Sequence, residues 1–175
     1  MKIKKLNIIS IILSFILAFP LHFLYDLVPC FFTSVISPVN ESIWEHMKII
    51  FGSILLSSII IKIILNKKQI KKHNFWFANF ISSISAIFLF LLIYLPIYYK
   101  IGEHLHLTLI IMLFIFIIVQ YISITIMKTK NLHQEKLTII YILLIYILFS
   151  YLTYFPPHTN LFLCPKNLIY GIKKN

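Results

Sequence analysis

The chain has 175 residues, of which 60% are apolar and only 12% charged. A soluble domain carries about a quarter of its residues as charged groups, so a water-facing globule is excluded and the outer surface must face lipid. Sixteen lysines against five acids give a net charge of +11, but the lysines cluster between apolar stretches and form no aromatic-basic face, which argues against nucleic acid as a partner.

Five apolar runs predict helices at about 6–28, 41–65, 75–98, 103–127 and 137–155. A helix of about 20 residues covers a hydrocarbon core of about 30 Å. Inside a bilayer every backbone polar group needs an internal partner, and the runs do not alternate as barrel strands would. The expected fold is therefore all-α: a polytopic membrane helix bundle of five transmembrane helices. It forms a single integral membrane domain over 1–175, lodged in the cell membrane with the lipid bilayer as its partner. The basic MKIKK start resembles a signal peptide, yet the first run is too long and lacks a small-residue cleavage site, so it is expected to be retained.

Lysine placement predicts orientation. With the amino terminus inside, Lys2, Lys4, Lys5, Lys67, Lys68, Lys71, Lys72, Lys128, Lys130 and Lys136 are cytoplasmic, against Lys100, Lys166, Lys173 and Lys174 outside. That imbalance favours an N-in/C-out arrangement, with the tail 156–175 lying along the outer interface. Ala78, Ser82 and Ala86 on the third run and Ser53 and Ser57 on the second recur every four residues. Small residues so spaced let backbones approach closely in lipid, and these two faces are expected to meet.

The ionisable groups other than lysine are unevenly placed. Under this topology His73, His133 and Glu135 are cytoplasmic, whereas His22, Asp26, Glu41, Glu45, His46, Glu103, His104, His106 and His158 gather at the outer end. Ionisable groups in a span normally face the bundle interior or a water-filled cavity, which predicts a shallow polar pocket there. His22 and Asp26 share a helical face, so the carboxylate is placed to orient the imidazole. Glu103 and His106 are three apart, also on one face. Pro20, just below His22, removes a backbone hydrogen bond and is expected to kink the helix.

The densest patch is Ser37-Pro-Val-Asn-Glu-Ser-Ile-Trp-Glu-His46, leading to Lys48. Asn40 suits a helix N-cap and Glu41 the first turn. Glu41, Glu45 and Lys48 then share a face, which also fits a plain structural pairing of Glu45 with Lys48. Cys30 and Cys164 both fall outside, where they either form a disulfide or remain two free thiols.

The SPVNESIWEHMK stretch, with HFLYD at His22–Asp26 and FPPH at Phe155–His158, resembles a family of small uncharacterised bacterial multi-pass membrane proteins with a PVNESxWEH motif. The resemblance implies a membrane location and a shared multi-helix fold. The motif maps onto Asn40, Glu41, Trp44, Glu45 and His46 and brings no assigned roles.

Three functional classes fit these residues. The first is a metal-dependent membrane hydrolase acting on a lipid or lipid-linked substrate. His22, His46, His106 and His158 would be metal ligands, Glu45 the general base, and Zn²⁺ the divalent ion suited to the donor set. The second is a proton- or cation-coupled transporter relaying through Glu45, although transport sites usually sit nearer the midplane. The third is a structural or interaction protein whose polar groups satisfy one another.

Overall fold

The computed structural model describes residues 3–70 and 72–172. Of the lysines counted for orientation, Lys2, Lys71, Lys173 and Lys174 lie outside the described residues. Six helices follow in chain order: α1 (Ile3–Leu27), α2 (Phe31–Ile36), α3 (Ile43–Lys67), α4 (Phe75–Ile101), α5 (Leu105–Lys128) and α6 (Glu135–Tyr154). All but α2 are long and apolar enough to cross a membrane.

Two boundaries differ from expectation in ways that matter for the site. Helix α3 starts at Ile43 with Ser42 as its N-cap, the Ser42 hydroxyl accepting the Glu45 N–H at 3.4 Å. Asn40 is not the cap. Its Oδ1 instead accepts the Ser42 N–H at 2.8 Å, closing a turn that leaves Glu41 outside the helix. Helix α4 runs on to Ile101 and stops at Gly102, whose φ of +80° no other residue takes as readily. Helix α5 therefore starts at Leu105, and Glu103 lies in the loop. Helix α2 was not anticipated. Six residues are too few to show a period, and its Phe31 and Phe32 are exposed.

Helix α3 is the most buried span; it packs against α1, α2 and α4, while α5 packs on α1 and α4. Against α1, α3 is joined by a buried Ser14–Ser57 hydroxyl pair at 2.8 Å. Against α6 it presents Phe51 to Tyr146 and Phe149, with ring centroids 5.4 and 5.7 Å apart. Gly52 sits where α1, α2 and α6 converge, and a Cβ there would lie 3.3 Å from the Leu21 side chain. The small-residue faces are both buried, and α3 packs against α4; beyond these two helices, Ser57 bonds to Ser14 of α1, and Ser82 donates to the Val119 carbonyl of α5 at 2.8 Å. Close approach in lipid needs small residues. Pro20 lies inside α1, which continues as one helix through it.

A buried ion pair organises the end of the bundle where α3 begins. Glu45 and Lys48 meet at 2.7 Å with side chains 2% and 0% exposed. Glu45 also accepts the Val39 N–H at 3.0 Å and the Thr153 hydroxyl at 2.7 Å, while Lys48 donates to the Ser34 carbonyl at 2.7 Å. One pair thus ties the α2–α3 segment to α3 and α6.

The tail after α6 folds back over the same end. The Trp44 N–H donates to the Leu161 carbonyl at 3.0 Å, and Phe162 stacks on the Trp44 ring at 4.8 Å. Asn40 Nδ2 donates to the Gly171 carbonyl at 2.8 Å. Gly171 has φ +64°, and a Cβ there would fall 2.5 Å from the Thr153 carbonyl oxygen. Only glycine lets the strap lie this close to α6.

Breaking the buried pair should be costly, because the surviving charge keeps its desolvation without its partner. Lys48→Met is expected to lower stability by about 3–5 kcal/mol, and adding Glu45→Gln should restore most of that loss. Thermal unfolding in detergent micelles measures both. Equal stability of wild type and Lys48→Met would contradict the arrangement.

Candidate metal centre above an apolar cavity

Three segments place the candidate ligands. His22 lies on α1 at a disturbed point of the helix. The Ser37 hydroxyl is spliced into the backbone ladder there, donating to the Leu21 carbonyl at 2.6 Å and accepting the Tyr25 N–H at 3.1 Å. A side chain inserted in this way opens a helix locally, and Pro20 already lacks one N–H in the same turn. His46 lies on the first turn of α3, where its Nδ1 sits 2.9 Å from the Ser42 carbonyl. A carbonyl accepts only from a nitrogen bearing a proton, so Nδ1 is the donor and Nε2 carries the lone pair. Glu41 comes from the turn that Asn40 closes.

These three converge. Glu41 Oε2 is 3.5 Å from His22 Nε2 and 3.4 Å from His46 Nε2, and one donor atom of each residue lies within 4.8 Å of the others. The two imidazoles meet edge to face at 5.5 Å. Donors this close, two imidazoles and a carboxylate, could hold a metal ion geometrically. The second Glu41 oxygen accepts from Lys166 Nζ at 2.9 Å. Close contact with His22, and then with the Lys166 ammonium, holds the Glu41 carboxyl down to about 2. His22 Nδ1 is buried without a hydrogen-bond partner among the described residues, a condition that buried polar atoms rarely tolerate.

Beneath this group lies a cavity of about 410 Å³ between α1, α3, α4 and α5. Its polar rim is His22, Glu41, His46, Glu103 and Lys166, and its depth is apolar, with Phe19, Ile50, Phe90, Leu109 and Met112 among the lining residues. Phe19 and Phe23 of α1 and Leu105 of α5 line it and are also exposed.

The other anticipated residues are placed differently. Glu45 is saturated by Lys48, Val39 and Thr153 and does not line the cavity, so its carboxylate is not available as a base there. Its partner Lys48 is likewise buried in that pair. Asp26 is exposed, and His22 Nδ1 makes no hydrogen bond to it. His106 is exposed and outside the group. His104 is exposed, with its Nε2 at the Ile101 carbonyl. His158 stacks on Tyr170 at 4.6 Å and stays exposed, away from the ligands. Trp44 is packed between Phe149 and Phe162. Cys30 is exposed and Cys164 buried, and both are free thiols, so the disulfide is not formed.

Two contributors were not anticipated. Lys166 reaches Glu41 from 125 residues away and carries no local signal. Ser42 did carry one: Ser42-x-x-Glu45 is the spacing of a capping box, and it marks the helix start better than Asn40.

A family model described as a family of unknown function (DUF6512) matches residues 1–172, and the chain belongs to that family. No curated protein and no solved structure matches it.

Because its folded pKa lies below the usual 4.5, Glu41 contributes stability that is fully present above pH 4.5 and is lost as pH falls towards about 2. Unfolding midpoints in micelles across pH 2–5 should therefore fall with acid in wild type. Glu41→Gln should flatten that limb, and an unchanged slope would mean that the carboxyl is not held in this way.

Proposed function

We propose that this member of a family of unknown function is a divalent-metal-dependent membrane hydrolase acting on a lipid or lipid-linked substrate. The observation that carries the proposal is the convergence of His22, Glu41 and His46 within 4.8 Å at the rim of a largely apolar cavity of about 410 Å³. Two imidazoles and one carboxylate suit Zn²⁺ and leave a position open for water. Bound there, the ion would supply Lewis acidity and a water acidic enough to react near neutral pH.

The chain's own residues would then divide the work. Ser42 fixes the His46 tautomer through Nδ1 so that Nε2 faces the ion, as partners of ligating histidines commonly do. Lys166 neutralises the outer Glu41 oxygen and lies where an anionic head group would enter. With Glu45 held by Lys48, Glu103, on the cavity rim and without an ion pair among the described residues, would be the carboxylate left to act as base. The apolar depth would take a hydrocarbon chain, with Phe19, Phe23 and Leu105 among the residues lining it. A transporter relaying protons through Glu45 has less support, because that carboxylate is locked in a buried pair. On the lysine counts, the site lies at the extracytoplasmic side of the cell membrane with the amino terminus inside.

Metal analysis of protein purified in detergent without chelator should find about one divalent ion per chain, as a three-ligand site implies. His22→Ala and His46→Ala should lose it, and His106→Ala, outside the group, should keep it. Metal-free wild type, or His46→Ala with undiminished metal, removes this reading.

Orientation has its own test. Cys30 is exposed and its thiol is made more acidic by the Thr33 hydrogen bonds, whereas Cys164 is buried. A membrane-impermeant maleimide added to intact cells should label wild type and leave Cys30→Ser unlabelled; labelling only after lysis would reverse the topology.

A further inference from the structure

At the other end of the bundle lies a second cavity, of about 510 Å³, where the end of α3 meets the starts of α4 and α6. His46 and Lys62 lie on one helix and are about 24 Å apart along its axis, so this cavity is separate from the candidate metal centre. Three cations converge on it from three segments: Lys62 of α3, Lys72 of the α3–α4 connection and Lys136 of α6. The one acid among its lining residues is Glu135.

Lys62 is the informative member. It lies five residues before the end of α3, about 7 Å inside it, and its Nζ rests 5.1 Å over the Phe75 ring. Among the described residues it makes no ion pair. A cation at that depth is costly unless something anionic meets it, and an ionisable residue within a span marks a functional site by default. The aromatic face offsets part of that cost. The cavity also has an apolar side, Trp76 and the exposed Ile139.

We propose that this cavity binds the phosphate of an anionic phospholipid, with Lys62, Lys72 and Lys136 as its cationic contacts. Basic pockets between transmembrane helices are suited to such head groups. A lipid is favoured over free phosphate because the cavity couples its cations to an apolar wall that would take the first acyl segments.

The test uses the full chain in detergent micelles doped with phosphatidylglycerol or with phosphatidylcholine, and a separate arm with inorganic phosphate. Affinity is read from the lipid-dependent rise in melting temperature. Phosphatidylglycerol should stabilise wild type and phosphatidylcholine should not. Lys72→Gln combined with Lys136→Gln should weaken phosphatidylglycerol binding about thirty-fold, two lysine contributions. Lys67→Gln combined with Lys68→Gln removes the same charge outside the cavity and should leave binding within about two-fold, as neither residue is a lining contact. Lys62→Met keeps the packing on Phe75; it should melt no lower than wild type without lipid, yet lose most of the phosphatidylglycerol response. Equal weakening by the two double variants would reduce the effect to diffuse surface charge and overturn the proposal. So would equal stabilisation by both lipids, or stabilisation by inorganic phosphate with none from phosphatidylglycerol.

Discussion

The architecture at the end of the bundle where α3 begins depends on one buried ion pair, Glu45 with Lys48, and on the fact that each of its charges is fully accommodated. A lone charge in that position would be prohibitive, and a pair with unfilled hydrogen bonds little better. Here the spare capacity of both groups is used to hold backbone: the Val39 N–H, the Ser34 carbonyl and, through a hydroxyl, Thr153 of α6. Such pairs add little net stability compared with apolar packing, and what they supply is a single arrangement. With Glu45 and Lys48 turned inward, the first turn of α3 is fixed in rotation. His46 then faces α1, and the preceding turn carries Glu41 to meet it.

The candidate centre is thus built on supports that lie outside the ligand group. Ser37 spreads the α1 ladder beside His22, Ser42 both caps α3 and sets the His46 tautomer, and Asn40 shapes the Glu41 turn while anchoring the tail. The tail in turn delivers Lys166, so the charge balance around Glu41 is completed by the far end of the chain. Beneath, large apolar side chains from four helices leave a void instead of interdigitating, in contrast to the Phe51–Tyr146–Phe149 cluster on the other side of α3.

The spans were legible because length and hydropathy are properties of single segments, and five apolar runs became five long helices. The gathering of polar groups was legible too, since alternating span direction brings residues 22, 41–46 and 103 to one end. Roles within the cluster were not. Glu41 and Glu45 look alike in sequence, and the choice between them was made by Lys48, one turn along, which neutralises Glu45. Asp26 stands four residues from His22, but the spacing shows only that they share a helical face; Asp26 turns to the surface. His106 and His158 sit at the right end of the bundle, yet depth on a helix axis does not give direction around it. Lys166 depends on a fold-back of the tail that no local pattern encodes. The small-residue rows were correctly read as packing faces, but the further partners of Ser57 and Ser82 depended on the order of helices in the bundle.

The strap also has a bearing on how the protein is made. His22, Glu41 and His46 come from one stretch, residues 22–46, formed by α1, α2 and the first turn of α3. Lys166 and Gly171 follow much later in the chain, and Gly171 must settle against Thr153 with no room for a side chain. Until then Glu41 lacks its lysine and Trp44 lacks its Phe162 cover. Synthesis in chain order therefore makes the three candidate ligands before the strap that supplies Lys166 and covers Trp44.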